Sequence, residues 1–190
     1  MFARLPKEDI YAVITYIRTL EPRPSVTEPR QLDFPLNLMV NLIPSKPTHD
    51  LKPDPTNSVK HGEYLITASV CNDCHTQMDD KGNYLMHLQY AGGTEFPLPT
   101  GGVVRSANLT PDLKTGIGSW SRELFIEKFK AYSDSSFVAY EVGHNQFNTY
   151  MPWTYYARMK EEDLGAIYDY LMSLKPITNE VVKFTPGNLP

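Results

Sequence analysis

Apolar residues recur three and four positions apart in four segments of the chain, the spacing of an amphipathic helix. These segments are residues 8–20, 59–70, 121–132 and 161–174. Asn57 or Ser58 can cap the second helix and Ser121 the third, because short polar side chains accept hydrogen bonds from the first amides of a helix. The residues expected to face a core are Ile10, Val13, Ile14, Ile17; Tyr64, Leu65, Ala68; Leu124, Phe125, Ile126, Phe129; and Leu164, Ile167, Tyr168, Leu171. Gly62 is a position where a second helix can approach closely.

The segments between these helices are irregular. Residues 76–118 are rich in loop signals, including two Gly-Gly pairs. Residues 21–56 hold eight prolines and are expected to form an extended linker. Inside it, the apolar run 34–43 is interpreted as a strap across a domain junction, and a docking patch for a partner or a membrane surface is the alternative. The predicted fold class is all-α.

The first and last helices are copies of one another. Residues 2–22 align with residues 156–176 at an offset of 154, with eight identities that include a shared Ala-Arg and a shared Glu-Asp. Two unrelated helices of similar composition are the alternative explanation. The repeat predicts four regions: a C-terminal helix of a truncated upstream domain (1–22), a proline-rich linker (23–56), a complete domain (57–178) and a tail (179–190).

Charge and hydropathy exclude several classes of function. The net charge is −4, with 8 basic and 7 acidic residues in 1–60 and 10 and 15 in 61–190, so no nucleic-acid affinity is expected. No run of 18 apolar residues provides a transmembrane helix. Residues 1–20 lack the apolar region of a signal peptide, so any export signal is expected upstream.

The two cysteines of the chain lie in Cys71-Asn72-Asp73-Cys74-His75. Two thiols three residues apart can add to both vinyl groups of one haem, and the following histidine can then ligate the iron. This motif predicts one covalent haem c on Cys71 and Cys74 with His75 as the proximal ligand. Attachment of such a haem takes place outside the cytoplasm.

Three other interpretations of the motif stay open at this point. A zinc site normally needs four Cys or His ligands, and no second Cys pair or closely spaced His pair is present. A thioredoxin-like dithiol requires a preceding strand, whereas a helix is predicted there. The third alternative is that two structural cysteines precede a histidine by chance.

Met151 is the preferred candidate for the sixth iron ligand. It lies 76 residues after His75, and Pro152 restricts it to an extended conformation. A thioether is a soft neutral ligand that favours Fe(II) and raises the potential. His144, in the same loop, is the rival ligand. With both axial positions filled, electron transfer is favoured over catalysis at the iron.

Two further strings carry a family resemblance: Gly101-Gly102-Val103-Val104-Arg105-Ser106-Ala107-Asn108-Leu109-Thr110-Pro111-Asp112, and Thr115-Gly116-Ile117-Gly118-Ser119-Trp120-Ser121. With the Met-Pro pair that Tyr155 and Tyr156 follow, they resemble class I c-type cytochromes. More narrowly, they resemble the multi-haem cytochrome subunits of membrane-bound alcohol and gluconate-type dehydrogenases and related bacterial respiratory cytochromes. The resemblance covers residues 57–176, and the helix at 8–20 is similar to the end of a preceding family domain.

The resemblance implies a fold of three to four main helices around one haem. It also implies axial ligation by His75 and Met151 and a periplasmic location. Arg105, Asn108 and Trp120 are candidates for haem-edge or propionate contacts, because propionates attract charge-assisted donors. For Trp120, packing at the start of a helix is an equal alternative.

The predicted function is electron transfer between a dehydrogenase or quinol-oxidising complex and a downstream acceptor or terminal oxidase, rather than catalysis. The expected partners are redox proteins of a membrane-bound respiratory or dehydrogenase complex. A haem peroxidase or oxidase module with a displaceable sixth ligand is the alternative, and it would need acid–base groups near the iron. A structural or sensor module is a third possibility.

Overall fold

A computed structural model describes residues 2–43, 46–49, 52–133 and 137–187 of the chain. Pro44 of the predicted linker and residues 188–190 of the predicted tail lie outside the described residues. The chain divides into two compact units, Met1–Lys52 and Pro53–Pro190.

The first unit contains one regular helix of more than one turn among its described residues. A 3-10 helix, Phe2–Arg4, precedes α1 (Lys7–Thr19), and a single turn, α2 (Leu36–Met39), lies further along. Acidic residues in the first turn of α1 and Arg18 in its last turn complement the helix dipole. The predicted apolar stripe of α1 is present but uncovered, since Val13 is 54% and Ile17 57% exposed.

The apolar run 34–43 is also exposed. Phe34 is 78% and Leu42 84% exposed. The run therefore joins no core within the described residues of the first unit, and its packing across a domain junction stays a prediction.

The second unit contains the remaining elements. In chain order they are α3 (Ser58–Ala68), α4 (Cys71–His75), a 3-10 helix (Met86–Leu88), β1 (Glu95–Pro97), β2 (Val103–Arg105), α5 (Arg122–Lys130), α6 (Trp153–Tyr156), α7 (Glu161–Ser173) and β3 (Phe184–Thr185). Asn57 caps α3 by accepting from the Lys60 amide, and Ser121 caps α5 by accepting from the Leu124 amide, as predicted.

Helices α3 and α7 form the centre of this unit, and they cross at Gly62. A Cβ atom at Gly62 would lie 1.9 Å from the Ala166 carbonyl oxygen, so only glycine permits this approach. The close approach predicted for Gly62 is therefore present. The crossing buries a continuous core of Ile66, Tyr90, Ile117, Phe125, Ile167 and Leu171.

Helix α5 packs on α7 through a second tight contact. The Arg122 guanidinium lies over Gly165, where a Cβ would be 1.8 Å from Nη2. The Arg122 Nε is 3.5 Å from one carboxylate oxygen of Asp169, and the other oxygen accepts a hydrogen bond from Ser58 on α3. One carboxylate of α7 thus interacts with both neighbouring helices.

The all-α prediction was wrong in one respect, because the unit also has a three-stranded antiparallel sheet in the order β1-β2-β3. Val104 pairs with Phe96 on one side and with Phe184 on the other. Gly101 and Gly102, both with positive φ, form the turn between β1 and β2. The strands are two or three residues long, too short for a period-two pattern to distinguish them from loop.

The predicted inner faces need two corrections. Ile66, fully buried, is the central apolar residue of α3, and it was not among the residues expected to face the core. Leu124, expected to be buried, is 38% exposed, whereas Phe125 is buried. On α7, Leu164, Ile167 and Leu171 are buried as predicted.

Gly62→Ala should destabilise the second unit by at least about 2 kcal/mol, because the added methyl meets backbone that cannot move aside cheaply. Helix propensity alone would predict stabilisation, so the sign of the change tests the crossing. Gly143→Ala is the control, since the atoms nearest to its methyl belong to the flexible Gln146 side chain. Urea unfolding followed by circular dichroism measures both variants; equal stabilities would contradict the prediction.

Candidate functional site: the Cys-x-x-Cys-His helix

The candidate site begins where α3 ends. Val70 has a positive φ of 59°, an uncommon conformation for a β-branched residue, and it separates α3 from α4. The Val70 carbonyl then accepts from the Asp73 amide at 3.1 Å. The short helix α4 carries Cys71, Cys74 and His75.

Both cysteines are free thiols. They are three residues apart on one helix and therefore lie on the same side of it. Burial raises the pKa of Cys71 to about 12, and burial together with the neighbouring Asp73 raises that of Cys74.

His75 is buried and held by one hydrogen bond. Its Nδ1 lies 2.8 Å from the Ala107 carbonyl oxygen, which can only accept, so Nδ1 carries the proton. The other ring nitrogen, Nε2, then has a free lone pair. Burial lowers the pKa of His75, which keeps the ring neutral. A neutral imidazole oriented through its second nitrogen is the usual form of a metal-ligating histidine.

The segment after α4 is fastened to the site by buried polar contacts. The Gly92 amide donates to the His75 carbonyl at 2.8 Å. Thr76 donates to Asn72 at 2.9 Å, and it accepts from the Tyr90 amide at 3.0 Å. These bonds order the loop that passes behind the histidine.

Met151 lies in the long loop that precedes α6, and it is half-buried. The segment just after it reaches the cysteine side of the site. The Tyr156 hydroxyl donates to the Ser69 carbonyl at 2.7 Å. Burial, with further contributions from Cys71 and Cys74, raises the pKa of Tyr156 to about 12. The rival ligand His144 is exposed, and it lies next to Gly101 in the turn between β1 and β2.

Arg105 and Asn108 bind protein groups in this structure. The Arg105 guanidinium pairs with Glu95 at 2.7 Å and donates to the Thr185 hydroxyl at 2.9 Å. Both amide hydrogens of Asn108 are used, by Thr115 at 3.0 Å and by the Ile177 carbonyl at 2.8 Å. Their roles here are to join strands and loops.

Trp120 packs at the start of α5. Its ring packs against the core, and the Lys128 ammonium lies 5.8 Å from the ring centroid. Its carbonyl accepts from the Tyr168 hydroxyl at 2.7 Å. These contacts are helix-start packing, and a contact of Trp120 with a haem propionate stays a prediction.

The other chemical interpretations of the motif find no support in the geometry. Within the described ranges, no three His, Cys, Asp or Glu side chains converge as metal ligands would. The motif follows a helix, not a strand, which excludes the thioredoxin arrangement. No helix in the described part of the chain is long and apolar enough to cross a membrane.

Sequence reasoning missed two groups of this site, the Ala107 carbonyl and Tyr156. Any residue can supply a carbonyl, so no side-chain pattern marks Ala107. Tyr156 aligns with Phe2 in the repeat. Because phenylalanine has no hydroxyl, the alignment did not indicate a role for the hydroxyl of Tyr156.

Comparison with known proteins identifies the family of this chain. The cytochrome c family model matches residues 59–175, and the chain therefore belongs to the cytochrome c family. The thiol pair, the neutral buried histidine and the apolar core are the groups that a covalent haem c requires, and the family implies that cofactor.

Several curated proteins are similar to this chain. It is 36% identical over 116 residues to the gluconate 2-dehydrogenase cytochrome c subunit of Pantoea cypripedii, covering 60% of this chain and 22% of that protein. It is 31% identical over 121 residues to the cytochrome c subunit of the quinone alcohol dehydrogenase of Gluconobacter oxydans, covering 63% and 22%. It is 31% identical over 139 residues to the fructose dehydrogenase cytochrome subunit of Gluconobacter japonicus, covering 73% of this chain and 25% of that protein. The aligned stretch is thus a quarter or less of each relative.

Asp112, at the end of the first family string, makes a testable contribution to acid stability. Hydrogen bonds from the Thr115 amide, the Thr115 hydroxyl and the Thr178 hydroxyl, each 2.8 Å long, lower its pKa from 3.8 to about 2. A lowered folded-state pKa stabilises the protein above about pH 4, and that stability is lost as pH falls towards 2.

Asp112→Asn should therefore flatten the fall in unfolding midpoint between pH 4 and pH 2. Asp80→Asn, at an exposed aspartate in another loop, is the control and should retain the wild-type slope. Thermal unfolding in a pH series measures the effect. A variant with the wild-type slope would show that these three hydrogen bonds do not retain the charge on Asp112.

Proposed function

We propose that this chain transfers electrons through one haem c attached to Cys71 and Cys74, with His75 and Met151 as axial ligands. The single observation that carries the proposal is the hydrogen bond between His75 Nδ1 and the Ala107 carbonyl, 2.8 Å long. It presents a neutral ring nitrogen beside two thiols on the same short helix. When bound, the haem iron supplies a one-electron redox couple.

The protein's own residues have three tasks in this proposal. Ala107 holds the histidine tautomer, which maintains the basicity of the ligating nitrogen. The buried side chains of α3, α5 and α7 exclude water and lower the local dielectric constant, which tunes the potential. Met151 would close the sixth position with a soft sulfur ligand.

The partners and location belong to the same proposal. Similar proteins are named as cytochrome subunits of alcohol, gluconate and fructose dehydrogenases. We infer that this chain accepts electrons from a dehydrogenase or quinol-oxidising complex on the periplasmic side of a membrane. It then passes them to a downstream acceptor or a terminal oxidase. A peroxidase role has no structural support, because His144, its acid–base candidate, is exposed beside a turn.

Met151→Ala tests the ligand assignment. Protein matured in a host that attaches haem c should gain the mass of one haem, and its ferric form should show the red absorption band of sulfur–iron charge transfer. The variant should lose this band, bind exogenous ligands and shift its midpoint potential downward, within the roughly 0.8 V range that haem ligands control. Met86→Ala, at an exposed methionine, is the control. An unchanged spectrum in Met151→Ala would refute the ligand assignment.

We also propose that α1 is the closing helix of a second cytochrome domain. Ile10, Val13 and Ile17 of α1 align with Leu164, Ile167 and Leu171, the buried face of α7. In the described residues of the first unit this stripe is exposed. A helix of the α3 type, with glycine at its crossing point, would cover it.

Hydrogen exchange tests this second proposal. Amides of α1 should exchange much faster than those of α7 in the 190-residue chain, because local stability follows apolar burial. Extending the chain by a preceding cytochrome domain should slow exchange in α1 and leave α7 unaffected. If α1 stayed unprotected in the extended protein, the proposal would be incorrect.

A further inference from the structure

The residue just before Met151 is fastened to the β-sheet. The Tyr150 hydroxyl donates to the Pro97 carbonyl at 2.9 Å, and its ring lies 5.8 Å from that of Phe96. Both partners belong to β1, which β2 holds in place by antiparallel pairing. Tyr150 thus connects β1 to the loop before α6 that carries Met151, which we call the methionine loop.

The residue two positions after Met151 is fastened to the end of α5. The Trp153 ring stacks on Tyr132, with centroids 5.1 Å apart and an interplanar angle of 13°. It also lies 5.2 Å from Phe129 at a tilted angle. These contacts join the start of α6 to α5. Tyr150 and Trp153 thus flank Met151 in sequence, one before it and one after it.

The hydrogen bonds described for the Met151 backbone are local. Its amide donates to the Thr149 hydroxyl at 3.0 Å, and its carbonyl accepts from the Trp153 amide at 2.8 Å. Pro152 has no amide hydrogen to contribute. Local bonds shape the loop but do not place it relative to α4, so its placement depends on the contacts of the flanking residues.

We propose that Tyr150 and Trp153 are positioning residues that hold the Met151 thioether as an iron ligand, one from the sheet and one from α5. The inference rests on the proposed function, because it assumes that Met151 ligates. Both residues act through Met151 and neither contacts the iron itself. Without either anchor the loop should move more freely, so that an exogenous ligand competes more easily with the sulfur.

The expected size of the effect follows from the strength of the interactions that each substitution removes. A neutral hydrogen bond changes an equilibrium constant about fivefold, and an aromatic pair contributes a similar factor. Tyr150→Phe removes the hydroxyl and keeps the ring beside Phe96. Trp153→Leu removes the packing against two rings, so about a tenfold effect or more is expected.

The experiment uses the ferric holoprotein and imidazole as the competing ligand. Imidazole affinity should rise about fivefold in Tyr150→Phe and at least about tenfold in Trp153→Leu, with lower midpoint potentials in both. Tyr155→Phe is the matched control, because Tyr155 lies on the same short helix and is 75% exposed. It should match the wild type. If Trp153→Leu does not fold, Trp153→Phe replaces it, with a smaller increase expected.

Two outcomes would overturn this inference and leave the Met151 assignment intact. One is a wild-type sulfur–iron band together with imidazole affinities in both variants that match Tyr155→Phe. The other is reduced resistance to urea in both variants with unchanged imidazole affinity and potential, which would show a merely structural role. A wild-type protein without the sulfur–iron band would overturn this inference and the Met151 assignment together.

Discussion

The close crossing of α3 and α7 is the constraint on which the second unit depends. Gly62 lets the backbone of α3 touch the Ala166 carbonyl, and the core forms around that contact. The two helices also carry the two halves of the candidate site. The Cys-x-x-Cys-His helix follows α3 after Val70, and the methionine loop leads through α6 into α7. The crossing therefore holds together the two elements from which α4 and the Met151 loop extend. The hydrogen bond from Tyr156 to Ser69 joins the two halves where they meet.

In the long loop after α4, buried hydrogen bonds hold the backbone in place, as helices and strands do elsewhere in the unit. Asn108 joins the loop to Thr115 and to the Ile177 carbonyl, and Thr110 binds that same carbonyl at 3.1 Å. The neighbouring residue, Ala107, supplies the carbonyl that orients His75. Asn108, a candidate for propionate contacts, therefore also helps to hold His75, because a fixed Asn108 fixes the carbonyl before it. This role explains why a buried asparagine without a free donor stands in that position.

The sequence predicted the helices and the cytochrome c class well because both have strong local signals. Each signal lies within a few residues of sequence: the caps at Asn57 and Ser121, the glycine at the crossing and the Cys-x-x-Cys-His motif. The sheet was missed because its strands are two or three residues long, and β3 lies in a segment predicted to be a tail. The inner face of α3 was misjudged at Ile66, because the position of α7 decides which side of an amphipathic helix is covered. The roles of Ala107, Tyr150 and Tyr156 depend on contacts between residues 32 to 87 positions apart, which no local pattern records.

Comparing the two copies of the repeated helix shows which features follow from the sequence of the helix and which depend on the elements that pack against it. Helices α1 and α7 share the apolar stripe, yet only α7 has it covered, by α3 and α5. The copies differ at Gly165, where α7 accepts the Arg122 guanidinium and α1 has Tyr11. A tyrosine there leaves no space for such a contact, so a domain closed by α1 must pack its third helix differently. The carbonyls of Ala157 and Met159 accept from Lys130 of α5, while the aligned carbonyls of Ala3 and Leu5 bind Thr48 and His49 of the linker. In the first unit, the linker therefore satisfies the carbonyls that an α5 lysine satisfies in the second.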